Sequence, residues 1–128
     1  MKPSEINARL AELNALSEPL RAEIKGLRDE AKAAVPADEG GKANPRLAEI
    51  DTAVAKARGQ LRPHEAEAET LRAAKAEIIN AYGVKIRQIR ASGKLQPQAF
   101  VEWRNGLFLV PEDDRLTAID AKLRECGL

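Results

Sequence analysis

The side chains able to ligate a metal, attack a carbonyl or relay a proton are few in this chain, and their spacing keeps them apart. His64 is the lone histidine and stands among Glu65, Glu67 and Glu69. On a helix His64 and Glu67 share a face, which suits a single imidazole–carboxylate pair. A tetrahedral zinc site needs four ligands, usually several Cys or His, and the chain has one of each, far apart. Cys126 has no histidine near it in sequence to generate a thiolate, and a terminal turn is expected to fray. Gly40-Gly41 lacks the strand before it and the Lys-Ser/Thr after it that would make a phosphate loop. Neither enzyme activity, a metal nor a cofactor is expected from these residues.

Binding chemistry is better represented. Charge is uneven along the chain: residues 83–110 carry five Lys and Arg against one Glu, whereas the net charge of the whole is +1. Lys85, Arg87, Arg90 and Lys94 fall at the end of a helical pattern, where they can face phosphates or complement the helix dipole. The acidic stretch Glu112-Asp113-Asp114 is the internal candidate to neutralise them. Three of the four aromatics, Phe100, Trp103 and Phe108, lie within nine residues, and Arg104 follows Trp103. Such a cluster is either plain core or a docking surface, since Trp and Arg dominate interface energetics. The expected partner-binding set is Arg87, Arg90, Lys94, Phe100, Trp103, Arg104 and Phe108.

The elements that would position these residues follow from periodicity. Ile6, Leu10, Leu13, Leu20, Ile24 and Leu27 recur by threes and fours or sevens, and Leu47, Ile50, Val54, Ala57, Leu61, Ala68, Leu71 and Ile78 do likewise. This spacing makes a narrow apolar stripe that one partner helix can bury. Between the two repeats, residues 36–44 read as a turn. The predicted fold is all-α: an antiparallel coiled-coil helical hairpin over 1–91, with helices at about 4–35 and 45–91. Residues 92–128 form a small helical base on its open end.

Local signals set the ends. Ser4 is a candidate cap for the first helix, and Asn44 with Pro45 opens the second. Glu5 with Arg9 and Lys25 with Asp29 are at ion-pair spacing. Pro19 predicts a kink in a continuous first helix, and Gly59 with Pro63 a bend near Leu61. Ser92-Gly93 stops the second helix, and a short helix runs from Gln96 to Asn105 before Gly106. Leu107-Phe108-Leu109-Val110 reads as an extended apolar run, and Pro111 opens a last helix with acidic residues in its first turn. Ser17, His64 and Lys75 are polar positions on the seam, able to fix register within one chain or between two, so a homodimer is an open alternative to a monomer.

Asp38 and Glu39 put two carboxylates at the turn. In architecture this resembles bacterial transcript-cleavage and secondary-channel factors, which also carry acidic residues at a coiled-coil tip. The motif residues of those families and a zinc-binding Cys set are absent, and acidic residues in a Gly-bearing turn are common turn chemistry.

No apolar run approaches the ~18 residues of a membrane span, no signal-peptide core follows Met1, and a single Cys fits a reducing compartment. The expectation is a cytoplasmic protein, of the producing cell or of a host, with no membrane partner. It would be a non-catalytic helical binding protein acting through protein–protein contacts as an assembly factor, adaptor or inhibitor, of the kind found among phage or mobile-element accessory proteins. The alternative is a nucleic-acid-associated or transcription-machinery-binding factor that uses the basic 85–94 segment or the acidic tip.

Overall fold

A computed structural model describes every residue from Met1 to Leu128. The protein is all-helical, with α1 at Pro3–Ala33, α2 at Pro45–Ala91, α3 at Pro97–Gly106, a 3-10 turn at Leu107–Leu109, and α4 at Glu112–Glu125. No helix is long and apolar enough to cross a membrane. The chain divides into two compact units, one of Arg9–Thr70 and one joining Met1–Ala8 to Leu71–Leu128.

In the unit Arg9–Thr70, the loop between α1 and α2 is closed by its own backbone. Ala37 and Ala43 form an isolated antiparallel bridge. The Lys42 N–H donates to Asp38 Oδ1 at 2.8 Å, and Gly41 takes φ +77°, a conformation that costs glycine little. Asn44 caps α2 as its type predicts: Oδ1 accepts from the Arg46 N–H at 3.0 Å, while Nδ2 donates to the Val35 carbonyl at 3.0 Å.

Ile24, Ala57 and Leu61 form one buried cluster of this unit, with Leu20 and Val54 packed against them, and Leu13, Ile50 and Ala68 are buried as well. Ser17 is buried on the same periodicity. Ion pairs flank the core: Arg46 with Glu30 at 2.9 Å, Arg21 with Glu65 at 3.8 Å, and Arg9 with Glu67 at 2.8 Å. Two expected local pairs do not form. Arg9 turns to Glu12 and Glu67 rather than Glu5, because Glu67 offers both oxygens to its fork, and Lys25 makes no ion pair with Asp29. Both α1 and α2 continue unbroken through their prolines. Pro19 and Pro63 are exposed, so the backbone groups they leave unpaired lie on solvated surface.

The second unit has a core cluster of Ile89, Phe100, Leu107, Ile119 and Cys126, with Tyr82, Ile86, Leu95, Trp103, Ala118 and Leu123 packed against it. Three local expectations are corrected here. Ser4 does not cap α1, which already begins at Pro3 with the Ile6 N–H on the Lys2 carbonyl at 3.0 Å. Instead Ser4 donates its N–H at 2.9 Å, and also its hydroxyl, to the Asp113 carboxylate in the first turn of α4.

Leu107 to Leu109 is a 3-10 turn rather than an extended run. Leu107 folds inward to the core, and Arg115 Nε donates to the carbonyls of Leu107 at 3.1 Å and Val110 at 3.0 Å, which holds the turn closed. Cys126 does not fray: it is buried, and the Leu128 N–H returns to the Leu123 carbonyl at 2.9 Å with Gly127 at φ +72°. That six-to-one closure is a Schellman cap, which satisfies the last helical carbonyls and fixes the end of α4.

Candidate functional site

The basic segment and the aromatic cluster lie in the unit Met1–Ala8 plus Leu71–Leu128. α2 carries Lys85, Arg87 and Arg90 on its last turns, and Ser92 ends it: the Ser92 hydroxyl donates to the Ile89 carbonyl at 2.6 Å and accepts the Lys94 N–H at 3.2 Å. Gly93 takes φ +69° and turns the chain toward α3.

The carboxylates of α4's first turn do not neutralise this segment. Asp113 is held by Ser4, and Glu112 accepts from Asn7 at 2.8 Å and lies 3.9 Å from Arg115. Lys85 pairs with Asp120 at 2.6 Å. Arg87, Arg90, Lys94 and Arg104 form no ion pair anywhere in the chain.

Two of those four cations converge. The Arg90 and Arg104 guanidinium carbons lie 6.0 and 5.6 Å from the centroid of the Phe100 ring, within cation–π range. They flank a groove of about 540 Å³ whose walls include Leu95, Pro97 and Val101, with Phe100 beneath. A guanidinium laid on a ring is oriented but keeps its N–H fork free, so it is ready to take a planar carboxylate or a phosphate.

The aromatic cluster separates into three environments. Phe100 is core, Trp103 is half-buried with its ring centroid 6.1 Å from that of Phe100, and Phe108 is 75% exposed. Leu109, beside Phe108, is 90% exposed. Sequence reasoning missed Arg115, whose contacts with the 107–110 carbonyls fix this apolar turn; of Leu107 and Leu109, both expected beside the docking surface, Leu109 is exposed and Leu107 is core. The three-four spacing of Phe100, Trp103 and Leu107 was the available signal: it puts those three inward and leaves Phe108 off the face.

At the alternative site, Asp38 is committed to the Lys42 N–H, which is turn chemistry, and Glu39 forms no ion pair. His64 is half-buried, and its expected face partner Glu67 is bound to Arg9. No three His, Cys, Asp or Glu side chains stand together as a metal site.

Fold and surface together define an all-α protein with an arginine-flanked groove and an exposed apolar turn on one compact unit. Set beside protein-family models, curated proteins and solved structures, the chain matches none of them.

Proposed function

We propose that the protein is a non-catalytic helical binding protein, an assembly factor, adaptor or inhibitor, whose protein partner docks on the groove between Arg90 and Arg104 and on the Phe108 turn. The observation that carries this reading is the pairing of unneutralised arginines with exposed apolar side chains on one unit. Many cations of the chain lack a carboxylate partner, but Arg90 and Arg104 alone also lie over one ring, that of Phe100, on either side of a groove. Interfaces are enriched in Arg and aromatic residues, and an Arg held on a ring loses little freedom when it binds.

In this reading α1 and α2 of the unit Arg9–Thr70 pair as an antiparallel coiled-coil hairpin. The ion pairs Glu30–Arg46, Arg21–Glu65 and Arg9–Glu67 support it, since their partners run in opposite sequence directions. The proposed setting is the cytoplasm, of the producing cell or of a host of a mobile element.

The test is capture of a partner by the full chain from its native host, followed by affinity measurements on variants. Arg90→Ala and Phe108→Ala should each weaken binding by roughly 1–4 kcal/mol, as hot-spot truncations do, with helical circular dichroism unchanged. If Arg87→Glu with Arg90→Glu leaves binding intact while Asp38→Asn with Glu39→Gln abolishes it, the acidic tip is the working surface instead.

A further inference from the structure

We propose that the unit Arg9–Thr70 carries a second binding site, for the phosphate backbone of a nucleic-acid duplex, in a groove lined by Arg21, Lys25, Arg28 and Lys32 of α1 and Arg58 and Arg62 of α2. The proposal is independent of the Arg90–Arg104 groove and of whatever docks there.

The placement of charge carries it. This unit holds ten Lys and Arg against twelve Asp and Glu, a net −2. Even so, six of the ten cations surround one groove of about 610 Å³, where Asp29 and Glu65 are the only carboxylates. Arg21–Glu65, at 3.8 Å, is the one ion pair among them, and the other five cations have no carboxylate partner. Acidic residues are not scarce here, but few stand at the groove: Asp29 lines it unpaired, and four of the carboxylates are taken by cations outside it. Arg9 takes Glu12 and Glu67, and Arg46 takes Glu30 and Glu49.

The α1 cations are spaced four, three and four residues apart, which puts them on one face over about 16 Å at 1.5 Å per residue. Like charges at that spacing weaken a helix by a few tenths of a kcal/mol per pair. Asp29 is the one carboxylate set among them, four after Lys25 and three before Lys32, so the face keeps a surplus of positive charge.

The groove's chemistry selects the occupant. Its apolar residues, Ile24 and Leu61, are 8% and 7% exposed, too little to anchor a protein side chain. No aromatic lines it, so unstacked bases of a single strand have nothing to stack on. What remains is cationic side chains along about 16 Å, the axial rise of roughly five phosphates of a duplex strand at 3.4 Å each. Recognition of this kind is independent of base sequence.

The test is fluorescence anisotropy of a short labelled duplex with the full-length protein, titrated from about 50 to 200 mM salt. Five unpaired cations predict that log K falls against log salt with a slope of about −4.5, and Arg28→Gln with Arg58→Gln and Arg62→Gln should reduce this to about −1.8. Arg28→Lys with Arg58→Lys and Arg62→Lys keeps the charge and should keep the slope, which separates loss of charge from loss of fold. Arg87→Gln with Arg90→Gln and Arg104→Gln, on the other unit, should leave duplex binding unchanged. The proposal is overturned by no binding at low salt, by a loss of binding that follows the second triple variant rather than the first, or by polyglutamate competing as well as unlabelled duplex.

Discussion

Arg9 and Glu67 meet in a two-pronged ion pair, Nε to Oε1 at 2.9 Å and Nη2 to Oε2 at 2.8 Å, across 58 residues of sequence. The hydrogen bonds from Arg9 hold the Glu67 carboxyl below its ordinary value. Asp113 is depressed as well, chiefly by the hydrogen bond from the Ser4 hydroxyl and then by that from the Ser4 N–H. An unfolded chain binds protons at these groups at higher pH than the folded chain does. Their stabilisation is therefore complete above the ordinary carboxylate range and is lost as pH falls through it toward the depressed values. Urea midpoints measured from pH 7 down to about 3 should fall, and Glu67→Gln with Asp113→Asn should flatten that decline.

Two aromatics of the cluster should separate by stability. Phe100→Ala removes a ring from the core and should cost about 3–5 kcal/mol, whereas Phe108→Ala, on a solvated turn, should stay within about 0.5 kcal/mol. Ile89→Ala, at a fully buried position, should cost about 2–5 kcal/mol. Chemical denaturation ranks all three, and a Phe108→Ala cost comparable to that of Phe100→Ala would contradict the turn's placement.

Arg115 should act as a clasp on the turn. Its Nε donates to two carbonyls and its Nη2 to a third, that of Phe108 at 3.5 Å. Arg115→Ala should cost about 1–3 kcal/mol, in the range of hydrogen bonds from charged donors, and open residues 107–110 to limited proteolysis. Arg115→Lys should fail to restore protection, because a lysine has no donor at the Nε position and one nitrogen in place of a planar fork.

How far the sequence was legible depends on the reach of the signal. Helix ends set by adjacent residues were readable: Asn44-Pro45 opens α2 and Ser92-Gly93 closes it. Ser4 has the chemistry of a cap, but its partner Asp113 lies 109 residues away, and no local pattern announces that. The fate of Leu107 to Leu109 turned on Arg115, a residue outside the apolar run itself. At the arginine-flanked groove, the residue types were visible in sequence. Which cations would remain unpaired was not, because Asp113 and Glu112 are held by Ser4 and Asn7 from the far end of the sequence and Asp114 pairs with no cation. The 21-25-28-32 spacing was also there to read, but counting charge by segment averaged it against nearby glutamates. Arg58 and Arg62 join it only once α1 and α2 pack together.

Cys126 should be a slow thiol. It is 5% exposed within a core cluster, so a thiol-specific reagent should label the native protein far more slowly than the urea-unfolded chain. Labelling at the same rate in both would show that the end of α4 opens freely.

The Ala37–Ala43 bridge closes the loop beneath its apex, and Asn44 ties the chain at both sides of that closure. The residues above it therefore contribute little to holding α1 against α2. Lengthening a closed loop costs only about 0.6 kcal/mol per doubling. A peptide epitope or a small reporter domain spliced between Glu39 and Gly40 should leave the helices undisturbed. This apex is thus a natural attachment point for following the protein in a cell without touching either of its charged grooves.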